Sequence, residues 1–75
     1  MRSDRPKTVE GFSRRLYLKV FQEFDSTVTF ARRIGVARST VWRWFDGDST
    51  PDCVVLVRVC TALRTTPNYL LYGKE

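Results

Sequence analysis

Apolar residues return every three to four positions along this chain, in blocks separated by short polar or glycine-bearing steps. That period is the one that gives a helix a single greasy face. In the first block Val9, Phe12, Leu16, Tyr17, Val20, Phe21 and Phe24 share about half of a helical wheel turning ~100° per residue. Arg14, Arg15, Lys19 and Gln22 take the other half, and Leu18 falls off the apolar face. A first helix is expected from Thr8. Ser26 is placed to cap a second, because its hydroxyl can accept a backbone N–H two or three residues on. That helix runs to about Ile34 and ends at Gly35, where the absence of Cβ tolerates a left-handed turn. A third spans about Arg38–Phe45 and stops at Asp46-Gly47. Thr50-Pro51 and Thr66-Pro67 repeat one start signal, threonine as cap and proline in the first turn. They open helices over about Pro51–Leu63 and from Pro67 to Leu71 or Tyr72. The β-branched run Val54–Val57 is compatible with a strand; the preceding cap and the spacing of Leu56, Val59, Cys60 and Leu63 favour helix. The expected fold is all-α: a compact bundle of five helices without a strand, one domain over residues 8–75, preceded by a polar, flexible arm over residues 1–7.

Charge sharpens this picture. The net charge is +5, and all eight acids lie outside residues 27–45, which hold Arg32, Arg33, Arg38 and Arg43. A basic stretch of this kind favours a polyanionic partner. On the third helix, Arg38, Ser39, Trp42, Arg43 and Asp46 fall on one arc of about 140°, with Val41, Trp44 and Phe45 on the opposite arc. The apolar arc can pack on Ala31 and Ile34. The polar arc suits DNA readout: Arg38 and Arg43 can each give two hydrogen bonds to guanine, worth about 1–3 kcal/mol of discrimination. Ser39 reaches a base edge or a phosphate, and the edge of Trp42 can meet a thymine methyl. Thr27 and Thr29, at the start of the second helix, sit where free N–H groups and the helix dipole favour a phosphate oxygen. Arg32 belongs with these phosphate contacts, and Arg33 adds to the same field. Trp44 and Phe45 read as core.

Other chemistries find little support. With 75 residues the chain makes one small domain, burying about 60–65% of its unfolded surface. No apolar run reaches the ~18 residues of a membrane span. The segment Met1–Lys7 lacks the apolar core of a signal peptide, which points to the cytoplasm. Cys53 and Cys60 fall within one expected helix with Cα atoms roughly 10 Å apart. That is beyond the ~7 Å reach of a disulfide. Two cysteines and no histidine are too few soft ligands for zinc. The same lack of histidine removes the usual proton shuttle, so no enzyme is expected. Asp46, Asp48 and Asp52 fail as a calcium loop, since Pro51 and Val57 stand where glycine and glutamate are needed. No cofactor, metal or small-molecule ligand is expected.

One known pattern covers nearly the whole chain. Phe30-Ala31-Arg32-Arg33-Ile34-Gly35-Val36 followed by Arg38-Ser39-Thr40-Val41-Trp42-Arg43-Trp44 resembles the helix-turn-helix of the lambda-repressor/Cro-like family. Ala31, Gly35 and Val41 fall at the spacing that lets two helices cross tightly. Asp46-Gly47 and Pro51 match the turn and fourth-helix start of that family, and Pro67 to Gly73 resembles its closing Leu-Leu-x-Gly segment. The resemblance covers about residues 9–73. It implies a five-helix bundle that binds double-stranded operator DNA, commonly as a homodimer on a near-palindromic site. It nominates Arg38, Ser39, Trp42 and Arg43 as base-facing, with Thr27 and Asp46 near the backbone. Thr27 stands where the family often has glutamine, and Trp42 where it has a small polar residue. The apolar excess of the fourth helix, with Tyr69, Leu70, Leu71 and Tyr72, would serve a dimer interface. The competing reading is a protein-interaction regulator built on the same scaffold, with Trp42 as a hot spot.

Overall fold

Caps divide the chain into five helices. A computed structural model describes residues 10–74. Its elements are α1 (Phe12–Glu23), α2 (Thr27–Ile34), α3 (Arg38–Phe45), α4 (Cys53–Leu63) and α5 (Pro67–Tyr72), with no strand among the described residues. The arm expected over residues 1–7, and Thr8 and Val9 of the expected first helix, lie outside the described residues. Glu10 and Gly11 form a turn with Gly11 at φ 81°, so α1 begins at Phe12. The Val54–Val57 run is helical. Among the described residues no helix is long and apolar enough to cross a membrane.

Local chemistry accounts for the boundaries. Ser26 Oγ accepts the N–H of Thr29 at 3.2 Å, and Thr66 Oγ1 accepts that of Tyr69 at 3.1 Å. The expected cap of α4 is displaced. Asp52, not Thr50, accepts the N–H of Val55 at 2.9 Å, so the helix starts at Cys53 rather than Pro51. A carboxylate at this position also suits the positive end of the helix dipole. Three helices end in one way. Gly35 N–H bonds to Ala31 O and Arg32 O while Val36 N–H bonds to Ala31 O. Gly47 with Asp48, and Arg64 with Thr65, repeat the arrangement on α3 and α4. Each needs a left-handed residue at the cap. Gly35 and Gly47 adopt it readily, and Arg64 adopts it at φ 58° despite its side chain.

The core is one cluster. Phe12, Leu16 and Val20 of α1 meet Phe30, Ala31 and Ile34 of α2, Val41 and Trp44 of α3, Val59, Cys60 and Leu63 of α4, and Leu70 of α5. Two expectations need correction. Tyr17 and Phe21 do not join this face: the buried row of α1 is Phe12, Leu16 and Val20, and the aromatic pair lies one residue further round, 44% and 42% exposed. Phe45 is half-buried and packs on the edge of the core rather than in it.

The arrangement leaves one side of α3 open. Its backbone lies against α1 and α2, whereas that of α4 lies against α1, α2 and α5, and no Cα of α3 comes within 8 Å of one in α4 or α5. Two side chains of α1 fasten the ends of other helices. Ser13 Oγ donates to Trp44 O at 2.6 Å, tying down the last turn of α3. Arg15 donates from Nε to Leu70 O at 2.9 Å and from Nη2 to Leu71 O at 2.8 Å, closing the carbonyl end of α5.

Candidate nucleic-acid interface

The surface offered by α3 follows from its eight residues. Val41 and Trp44 are driven into the core, at 0% and 2% exposure, and that rotates Arg38, Ser39, Trp42 and Arg43 outward; all four are exposed. The two guanidiniums and the serine hydroxyl supply donors, and the indole supplies a flat apolar edge.

Trp42 is both exposed and anchored. Its ring meets Phe45 edge-to-face at 5.1 Å. Phe45 in turn meets Tyr17 edge-to-face at 5.2 Å, and Tyr17 lies 4.9 Å from Phe21. Four rings thus run from α1 across to the outward face of α3. Sequence reasoning missed this ledge, although the i, i+4 spacing of Tyr17 and Phe21 was its visible trace.

The start of α2 adds a smaller feature. Ser26 Oγ and Thr29 Oγ1 are 3.0 Å apart, with Thr29 exposed. Among the described residues the N–H groups of Thr27 and Val28 carry no hydrogen bond, as expected for a first helical turn. Thr27 itself is buried at 6% exposure, so its contribution to an anion is its backbone N–H rather than its side chain. Arg32 is exposed near the other end of α2. Asp46 is an exposed residue at the end of α3 whose N–H is already bonded to Trp42 O at 2.9 Å. With an acceptor side chain and a used N–H, it has no donor for a phosphate oxygen, so it leaves the phosphate-contacting set.

Cys53 is exposed and Cys60 buried, both as free thiols on α4. Burial pushes the Cys60 thiol above its ordinary pKa, since the thiolate would lose its water.

The candidate surface therefore comprises Arg38, Ser39, Trp42 and Arg43 on α3, with Thr29, Arg32 and the first N–H groups on α2. No protein-family model matches the chain, and no curated protein matches it in sequence.

Proposed function

We propose that this chain is a sequence-specific double-stranded DNA-binding regulator of the phage-repressor type, which inserts α3 into the major groove. The observation that carries this reading is the division of α3. Val41 and Trp44 are consumed by the core, and its outward face holds Arg38, Ser39, Trp42 and Arg43 within a nineteen-residue stretch free of acids. All four of these residues are exposed, as a helix entering the groove requires. The resemblance to the lambda-repressor/Cro-like family points the same way. In this reading Arg38 and Arg43 read guanine, Ser39 and Trp42 modulate neighbouring positions, and Arg32, Thr29 and the start of α2 hold phosphates. Chemistry at a catalytic centre has no part in it, and its setting is the cytoplasm. A homodimer on a near-palindromic operator would use the exposed apolar residues Val54 of α4 and Tyr72 of α5.

The aromatic ledge favours a second reading, in which the scaffold binds a protein through Trp42, Tyr17 and Phe21. Salt separates the two. Titrating a fluorescent duplex at two salt concentrations should give a log–log slope of about −0.9 per phosphate contact. Absence of duplex binding at low salt would remove the DNA reading and leave the protein-binding one.

A further inference from the structure

We infer that the groove between α2 and α4 docks an acidic peptide segment of a protein partner, anchored by an apolar side chain. The groove encloses about 270 Å³ and is lined by Arg33, Ile34, Val57, Arg58, Thr61 and Ala62. Its floor is apolar, and Val57 lies 61% exposed within it, a β-branched side chain with nothing over it. Its rim is cationic. Arg33 and Arg58 are both exposed, and neither α2 nor α4 contains an acidic residue to answer them. Arg58 reaches over the end of α2, its Nη1 4.0 Å from where a Cβ on Gly35 would lie. The carbonyls of Ala31 and Arg32 there accept from Gly35 and Val36.

Charge and floor together select the occupant. Carboxylates match two guanidiniums, and a bidentate pair adds geometry to the attraction. Phosphodiester backbone would satisfy the arginines but has no apolar group for Val57 and Ile34. A second copy of this chain would bring four arginines together in one interface, which like-charge repulsion opposes. The groove is lined by residues of α2 and α4 alone, none of them on α3. The inference stands apart from the DNA reading and does not require it.

The probe is a short fluorescein-labelled peptide with a central Leu-Phe pair flanked by glutamates, titrated by anisotropy onto the whole chain at physiological salt. Saturable binding is expected, weakened at least tenfold when the Leu-Phe pair becomes Ala-Ala and abolished when lysines replace the glutamates. The variants Arg33→Gln with Arg58→Gln, and separately Val57→Asp, should each weaken it at least tenfold while circular dichroism stays unchanged. Val57→Asp leaves the core intact, so it reports even if the arginine variant unfolds. Equal binding of the Ala-Ala peptide would overturn the proposal, as would no saturation or displacement by excess duplex. So would sedimentation showing a dimer that Val57→Asp disperses, because the groove would then belong to a second copy.

Discussion

Trp42 stands on Phe45, ring edge to ring face, at 5.1 Å and an interplanar angle of 88°. That contact fixes the direction of the largest side chain on the outward face of α3 and links it through Tyr17 to α1. An aromatic pair of this kind is worth about 0.5–1.5 kcal/mol beyond its buried area. The two partners differ in what they support. Trp42→Ala should lower stability by no more than about 1.5 kcal/mol. Phe45→Ala, which opens the edge of the core, should cost about 2–3 kcal/mol. Urea unfolding of both variants checks the order; equal losses would mean that Trp42 is structural.

Arg15 should matter more to stability than a surface arginine. It closes two carbonyls of α5, so Arg15→Met should cost about 1.5–3 kcal/mol, the range for hydrogen bonds to a charged donor. Hydrogen exchange should show the loss concentrated at the N–H groups of Leu70 in α5 and of Gly73, its C-cap. Uniform acceleration across α2 and α3 would contradict a local cap.

Arg64 holds a left-handed cap that glycine adopts without penalty. Arg64→Gly should therefore raise stability by about 0.5–1 kcal/mol, and thermal unfolding reads the sign directly. A decrease would show that the arginine side chain contributes more than the strain costs.

The two thiols should part company under alkylation. Exposed Cys53 should react with iodoacetamide in the folded chain, and Cys60 only when the chain opens. The raised pKa of Cys60 also fixes a sign. A thiol harder to ionise when folded favours folding less as pH climbs past its unfolded value, so stability should fall above the ordinary thiol pKa of 9.0. A folded chain in which both cysteines label at one rate would contradict this burial.

Much of the architecture was legible, for identifiable reasons. Ser26, Gly35 and Thr66 act through bonds within four residues of themselves, so their positions in the chain foretold the ends of α2 and the start of α5. The start of α4 was harder because Thr50 and Asp52 are both good caps two residues apart, and only the backbone path decides between them. Periodicity put Tyr17 and Phe21 on the apolar side of α1 but could not say that Phe12, Leu16 and Val20 alone would fill the core. Arg15 looked like solvated charge because its partners lie 55 and 56 residues away. On α3 the wheel separated Arg38, Ser39, Trp42 and Arg43 from Val41 and Trp44 as the structure does. The burial of Thr27 was not visible, since threonine fits either side of a first turn.

The central claim is that α3 reads duplex sequence, and selection of this chain against a random duplex library tests it most directly. The account predicts enrichment of a near-palindromic motif, with Arg43→Ala relaxing the preference and Arg32→Ala weakening all sequences about equally. Binding without any enriched sequence, or identical behaviour of the two variants on selected and random duplexes, would contradict it.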